Sequence, residues 1–480
     1  MGRSRERGDH RLTFAVLAAG VAAYALLQSL VVPVLTTVQE QLHTSQDTAT
    51  WVLTAYLLSA SVMTPILGRV GDMIGKERVF VASLLALGVG SALAAVAPSI
   101  GVMIAARVIQ GFGGGVLPVA FGIVRDEFPE ERVAGAVGSL ASLTAVGSGL
   151  GIVLAGPVVT ALSWRWLFWL PMIVTILAAA GAVLFVPESP VRSPGRISLL
   201  PAVLLSAWLI ALLAALSEAP VWGWGSARVL GLLAVAVVAC AAWIAAERRA
   251  ATPLIDMAMM RLPAVWTNNL VALLIGMGMY ATFAFLPEMV QTPRFAGYGF
   301  GASITQSGLM LLPWSVLMFI TGQFTGRLLN RFGGKALVVT GCAIGAASLA
   351  MLAFAHAAVW EIYLADSLMG IGFGLAFPAM SALIVDAVPA SQTGVASGMN
   401  ANVRTIGGSI GSALMASIVT ARLLSSGLPR EAGYTGGFAA MTAAVLLAGA
   451  AGLLIPAGRR ATGVVAPACP SAGEAVAATE

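Results

Sequence analysis

Gly68-Arg69-Val70-Gly71-Asp72-Met73-Ile74-Gly75-Lys76-Glu77-Arg78 is a charged knot between two long apolar runs, and Gly326-Arg327-Leu328-Leu329-Asn330-Arg331-Phe332-Gly333-Gly334-Lys335 repeats it in the other half of the chain. Gly68, Arg69, Asp72 and Gly75 match Gly326, Arg327, Asn330 and Gly333 at a constant offset of 258. Glycine at these points permits a tight turn and close helix approach. The Arg and Lys side chains cannot follow the flanking helices into hydrocarbon, so each knot belongs at a membrane surface. An ordinary helix–helix loop accounts for one such stretch, whereas two in register point to an internal repeat. A gate is read here: Gly68, Asp72, Gly75, Lys76 and Arg78 in one copy, Arg327, Asn330, Arg331, Gly333 and Lys335 in the other. Charge-assisted bonds of Asp72 would close one face between helix ends. The plainer reading of Asp72 is a helix cap with a solvated charge.

The composition outside the knots sets the class. The chain is 59% hydrophobic and 10% charged, where a soluble domain carries about 25% charged residues. Apolar runs put spans at about 12–35, 50–68, 79–98, 100–124, 133–160, 166–187, 197–217, 227–246, 264–287, 303–325, 336–356, 358–386, 393–422 and 434–456. The expected fold is therefore an all-α polytopic membrane protein with 14 transmembrane helices. With the N-terminus inside, 19 of the 26 Lys and Arg fall on the cytoplasmic side, five (Arg165, Arg228, Arg294, Arg422, Arg430) outside, and Arg107 and Arg404 within spans. That asymmetry supports a multi-pass inner-membrane protein with both termini cytoplasmic. The net charge of +5 is spread over short loops rather than gathered in a stripe, which speaks against nucleic acid as a partner. Cys240, Cys342 and Cys469 lie far apart without metal-ligand spacing, so no metal, disulfide framework or cofactor is expected.

The repeat runs further. Arg107-x₃-Gly111-x-Gly113-x-Gly115 corresponds to Asp366-x₃-Gly370-x-Gly372-x-Gly374 at an offset of 259. Two pseudo-symmetric six-helix bundles, 1–190 and 260–460, are expected on either side of a linker, 191–259, that carries two additional helices, with a disordered cytoplasmic tail at 461–480. Parallel repeats of this kind are a transporter signature, with the pathway between the halves near mid-membrane.

These residues resemble the major facilitator superfamily, in particular its fourteen-helix drug/proton antiporter branch. Gly68–Arg78 is similar to the signature loop G-x-L-x-D-R-x-G-R/K-x-R, with Val70 for Leu and Met73 for Arg. Arg107-Val108-Ile109-Gln110-Gly111 resembles the Arg motif of the fourth helix, and Ser163-Trp164-Arg165-Trp166-Leu167-Phe168 the W-R-W-x-F segment before the sixth. Two positions depart from the branch. Gly147-x₃-Gly151-Ile152-x₂-Ala155-Gly156 has its proline displaced to Pro157, and Gln28 occupies the acidic position of the first helix. The resemblance implies proton-driven export, and these two changes touch its usual coupling residues.

An ionisable group inside a span costs about 2.5–3.5 kcal/mol, so it is expected to face a partner or a wet cavity. Asp366, Arg107 and Arg404 are such groups, and Asp366 is read as the protonation site. A cavity for bulky amphipathic compounds wants aromatics and a few hydrogen-bonding groups. Tyr24, Gln28, Tyr56, Gln110, Asn268, Tyr280, Glu288, Gln306, Trp314, Asn400 and Asn402 are the candidates for its lining. Gly407-Gly408-Ser409-Ile410-Gly411 matches the hydrolase elbow G-x-S-x-G, but that motif needs a strand–turn–helix context and here it lies inside an apolar span with no nearby His, so no enzyme is expected. The sequence thus reads as a monomeric secondary transporter that exports hydrophobic or cationic small molecules, drugs or antibiotics, against protons. An uncoupled facilitator or importer of a metabolite and a non-transporting scaffold or sensor are the alternatives.

Overall fold

Helix follows helix along the chain: α1 (His10–Ser29), a short α2 (Leu35–Gln41), α3 (Gln46–Ile74), α4 (Lys76–Ala95), α5 (Ile100–Gln110), α6 (Val116–Glu127), α7 (Glu130–Ala161), α8 (Trp166–Phe185), α9 (Leu199–Trp222), α10 (Ala227–Arg249), α11 (Met257–Met260), α12 (Pro263–Gln291), α13 (Ile304–Phe332), α14 (Gly334–Phe354), α15 (Val359–Ala387), α16 (Thr393–Thr420) and α17 (Glu431–Gly452). This computed structural model describes residues 10–31, 35–44, 46–188, 198–250, 253–389, 392–422, 424–426 and 428–456. The basic residues before His10, Cys469 and the expected tail at 461–480 lie outside the described residues. No β-strand occurs among those described. Fourteen helical stretches are long and apolar enough to cross a membrane, α5 and α6 together forming one of them. The protein is a multi-pass membrane protein.

Each charged knot breaks a helix at a glycine that an L side chain would strain. The backbone φ is +123° at Gly75, between α3 and α4, and +82° at Gly333, between α13 and α14. Elsewhere α3, α9 and α13 run five to seven residues past their expected ends, and two further departures bear on the site. The first span stops at Ser29 rather than reaching Leu35, and α2 follows as a separate turn-length helix. The fourth is interrupted by a 3₁₀ segment, Gly111–Gly115, where α5 meets α6. There the glycines let the chain press on α3: a methyl on Gly114 would lie 2.8 Å from the Ala60 carbonyl oxygen.

Packing gathers α12 to α17 around one apolar core, with Ile275, Leu349, Phe373, Phe438 and Val445 fully buried. Two further cores lie among α1 to α8, one around Leu17, Phe80, Leu84 and Val124 and one around Leu27, Leu87, Met103 and Phe168. These groups of helices meet along two seams, α3 against α16 and α7 against α13. At the end that carries the charged turns, here the loop end, each seam closes on a pair of glycines. A methyl on Gly68 would lie 2.6 Å from the Gly394 carbonyl oxygen, and one on Gly326 would lie 2.8 Å from Gly135 Cα. Gly135 and Gly394 are themselves 259 apart, so the two contacts are copies of each other under the repeat. Small residues let backbones approach in this way where apolar burial alone cannot drive association.

The additional helices do not stand apart. Leu205, Trp208 and Leu209 of α9 share a core with Val62 of α3 and with Val395, Met399 and Ile406 of α16. α9 therefore covers the α3–α16 seam, and α10 packs on α9 with Trp208 and Trp243 5.8 Å apart. Beyond them the Trp224 indole donates to Ser417 at 2.7 Å, tying the α9–α10 corner to α16.

Candidate functional site

Between the seams lies a cavity of about 300 Å³. Both sets of helices line it: Tyr24 and Gln28 from α1, Tyr56 from α3, Arg107 from α5, Tyr280 and Phe283 from α12, Trp314 from α13, Asn402 and Arg404 from α16. One wall is aromatic, with Phe283 stacked on Trp314 at 4.1 Å and Trp314 edge-on to Phe373 at 6.2 Å. Toward the loop end the space narrows to about 20 Å³, room for one water, between Phe121, Ser381, Ile384 and Ser397. Phe377 and Arg404 line both spaces, so the narrow one continues the wide one. Away from the loop end the cavity runs past Leu53 and Ser412 to the exposed Ala284.

Two guanidinium groups border this space, held in different ways. Arg107 has no solvent exposure. Its Nε donates to the Val52 carbonyl at 2.9 Å and its Nη1 to Gln110 Oε1 at 2.7 Å, while the group lies 4.3 Å from the centre of the Tyr56 ring. Gln110 in turn donates to Ser91 Oγ at 2.9 Å and stays out of the cavity. Arg107 Nη2 has no hydrogen-bond partner. Arg404, half-buried, sits 4.7 Å over the Phe377 ring and reaches the Tyr280 hydroxyl. Among the described residues no Asp or Glu lines the cavity.

Asp366 lies elsewhere. It is fully buried within the α12–α17 core, neither carboxyl oxygen has a hydrogen-bond partner, and it does not line the cavity. Repeat position alone placed it at the depth of Arg107; the helix face it occupies turns it into its own bundle. Among the described residues no Arg pairs with it.

At the loop end the first knot is a buried charge cluster. Lys76 Nζ lies 2.5 Å from Asp126 Oδ2 and 3.8 Å from Asp72 Oδ1, with all three side chains at most 1% exposed. The Asp72 carboxylate faces the first turn of α16, within reach of the Val395 N–H, where unpaired N–H groups favour negative charge. A methyl on Gly394 would lie 3.1–3.2 Å from its oxygens. Arg125 adds a second link between the halves, donating to the Val385 carbonyl and, at 2.7 Å, to Thr393 Oγ1. Arg78 is exposed and pairs with Glu188 at 3.1 Å. The second knot keeps the turn and lacks the cluster: Arg327, Asn330 and Arg331 are exposed, and Arg331 lies 5.3 Å from the Phe332 ring.

The profile of the Major Facilitator Superfamily matches residues 17–412, with a second match over 269–476. The chain belongs to this superfamily. It is 29% identical over 426 residues to the tetracenomycin C resistance and export protein of Streptomyces glaucescens, covering 87% of this chain and 77% of that one. It is 26% identical over 377 residues to the multidrug transporter protein MdtP of Bacillus subtilis, covering 78% and 69%. With the multidrug resistance protein Stp of Mycobacterium tuberculosis it shares 28% identity over 413 residues, covering 85% and 76%. A crystal structure of the human organic anion transporter MFSD10 (TETRAN) superposes with a TM-score of 0.69 at 17% identity, covering 93% of this chain and 99% of that chain, a likeness of fold. The protein is a transporter of the superfamily and not an enzyme; bacterial relatives place it in the cell membrane.

In this superfamily member the remaining polar candidates sit away from the main cavity. Asn400 borders only the narrow space and donates to Asn269 Oδ1 at 2.9 Å. Asn268 bonds back to the Ala264 carbonyl within α12 at 2.7 Å. Gln306 closes a capping box with Ser303 at the exposed start of α13. Glu288 is exposed near the end of α12, beside Tyr434. Several residues that matter were not singled out from sequence: Phe283 and Phe377 of the cavity wall, and Asp126 with Arg125 at the loop end. Arg125-Asp126-Glu127 closing an apolar run was the available signal for the latter pair, since charges bounding a span mark its interfacial end.

Proposed function

We propose that the protein is a secondary active transporter of the inner membrane that exports amphipathic small molecules, drugs or antibiotics, in exchange for protons by alternating access. What carries the reading is a single cavity shared by two repeat-related sets of helices, closed at the loop end by Gly68 on Gly394 and wide at the other. A rigid rocking of the halves that parts the loop-end contacts supplies the opposite state. The loop end is taken as cytoplasmic, with both termini on that side, and the cavity as outward-facing. The relatives named for antibiotic export and multidrug resistance support the direction and the class of cargo. The halves are the bundles 1–190 and 260–460, joined through 191–259, and one chain is the working unit.

For the proton we assign Asp366. A buried carboxylate without a partner is costly, and a bound proton removes that cost. Gln28 in the cavity, where the resemblance calls for an acid, favours one competing reading, an uncoupled facilitator. Reconstitution into proteoliposomes separates the two. Export of a fluorescent cargo that requires an imposed pH gradient supports antiport, and flux indifferent to the gradient supports the facilitator. No flux of any compound that binds would remove transport altogether.

A further inference from the structure

The chemistry of the cavity narrows what it can hold. Among the described residues two arginines border it and no carboxylate does, and the ionisable groups that reach Arg107 and Arg404 electrostatically are tyrosines: Tyr56 for the first, Tyr280 and Tyr24 for the second. A buried cation without a counter-charge is unfavourable unless something supplies one. Arg107 is partly compensated by the Val52 carbonyl, Gln110 and the Tyr56 ring, yet its Nη2 is left without an acceptor at no solvent exposure. Other hydrogen-bonding groups on the wall are also unpartnered: the Trp314 indole N–H and both amide atoms of Asn402. The free N–H groups among them, Arg107 Nη2, Trp314 Nε1 and Asn402 Nδ2, have no acceptor, and the two guanidinium groups have no counter-charge among the described residues.

We propose that the central cavity takes organic anions: an aromatic body against Phe283 and Tyr280, and a carboxylate or comparable acid group held by the guanidinium groups of Arg107 and Arg404. Cationic amphiphiles, which the sequence alone left open, meet no counter-charge here and two like charges. The assignment deepens the export reading above and rests on it for the step from ligand to cargo. It requires no change at Asp366, which stands apart from the cavity. The planar guanidinium suits the two oxygens of a carboxylate, and stacking on Phe377 holds the Arg404 plane in place for it.

The test uses three anthracenes of matched shape on the purified full-length protein in neutral detergent: 2-anthracenecarboxylate, its carboxamide and 2-aminomethylanthracene as the ammonium ion. Calorimetric titration is expected to show the carboxylate at least about tenfold tighter than the amide or the cation. Arg404→Gln lowers carboxylate affinity by about 10- to 100-fold and leaves the amide unchanged, and Arg404→Lys retains part of the preference. Should Arg404→Gln not fold, Gln28→Asp carries the same test, since a carboxylate placed on the wall inverts the order of anion and cation. Equal affinity for the two charged probes, or Arg404→Gln with wild-type carboxylate affinity, overturns the proposal. Displacement of the carboxylate by phosphatidylglycerol at equimolar amounts also overturns it, because the occupant is then a lipid headgroup. Flux is read separately in proteoliposomes. Anion binding without flux under any gradient keeps the anion site and removes the transport reading. Gradient-driven efflux of the cation alone keeps transport and ends the anion assignment.

Discussion

Gly68→Ala tests the closed loop end by adding one methyl. The new Cβ would lie 2.6 Å from the Gly394 carbonyl oxygen and 2.8 Å from its carbon, against 3.4 Å for ordinary contact, so α3 and α16 must separate by 0.8 Å there. The obstacle is backbone in the first turn of α16 and cannot rotate aside. Overpacking of this size costs about 1–3 kcal/mol. Alanine also raises helix propensity by about 1 kcal/mol, but that gain is common to both states of α3 and cancels from the equilibrium between them. The net effect falls on the closed state alone and shifts the balance toward an open loop end by about 5- to 150-fold. Ser381 lines the narrow space beneath the cavity and reports the opening. With Cys240, Cys342 and Cys469 replaced, Ser381→Cys is labelled by a membrane-impermeant maleimide applied from the loop side. Gly68→Ala is expected to raise the labelling rate at least about fivefold. Gly326→Ala, whose Cβ meets Gly135 Cα at 2.8 Å, acts likewise at the other seam, and Gly231→Ala, with nothing within 4 Å, does not. A folded Gly68→Ala protein labelled at the parental rate refutes the closure.

Three further outcomes follow from the same geometry. Lys76→Met removes the ammonium 2.5 Å from Asp126 and 3.8 Å from Asp72 and leaves two buried carboxylates facing each other, a loss of about 3–5 kcal/mol seen as a lowered unfolding temperature, part of which Asp126→Asn restores; an unchanged melt contradicts the cluster. Gln110→Leu strands Arg107 Nη1 without its acceptor at 2.7 Å and costs about 1–3 kcal/mol in the same assay, and equal stability would mean that the Arg107–Gln110–Ser91 chain holds nothing. Asp366→Asn removes no hydrogen bond and is expected to melt at or above the parental temperature while losing export that depends on a pH gradient; retained gradient-driven export rules out Asp366 as the proton site.

What the sequence made legible were features fixed by the chain's own covalent pattern. Run length and loop charge placed fourteen spans, because hydrocarbon thickness and the cost of burying Arg leave few alternatives. The offset between Gly68 and Gly326 pointed to a repeat, and the matching contacts Gly68–Gly394 and Gly135–Gly326 are what such a repeat would make. What stayed hidden depended on rotation about helix axes. Asp366 and Arg107 are equivalent by repeat, yet Arg107 borders the cavity and Asp366 its own core. Asn268 and Asn402 look alike as polar residues in spans. One donates to the Ala264 carbonyl of its own helix and stays out of the cavity, and the other lines the cavity with its amide unpartnered. The two knots share their glycines, and only the first has an acid, Asp72, and a lysine one turn on at Lys76 to bury. Asn330 cannot form that pair, so the second copy keeps the turn and leaves its charges in solvent.

The repeat-related seams are alike at the loop end and unlike beyond it. α7 stays on α13 from Gly135–Gly326 to Gly156, where an added methyl would lie 3.0 Å from Thr305 Oγ1. α3 touches α16 closely as far as Gly398 and Thr64, after which Leu53 and Leu57 on one side and Thr405 and Ser412 on the other border the cavity. Of the additional pair of helices, α9 lies along the seam that parts, and α10 packs on α9. Without α9 across Val62, Met399 and Ile406, acyl chains would have a path toward the gap that holds Gln28, Tyr56 and Arg404. A guanidinium in contact with hydrocarbon costs about 2.5–3.5 kcal/mol even by the lower measures. An apolar helix laid over the opening separates lipid from that charge and contributes a dry, packed surface to both halves. A charged cavity and a fourteen-helix plan are therefore physically matched: α9 covers the side on which α3 and α16 diverge.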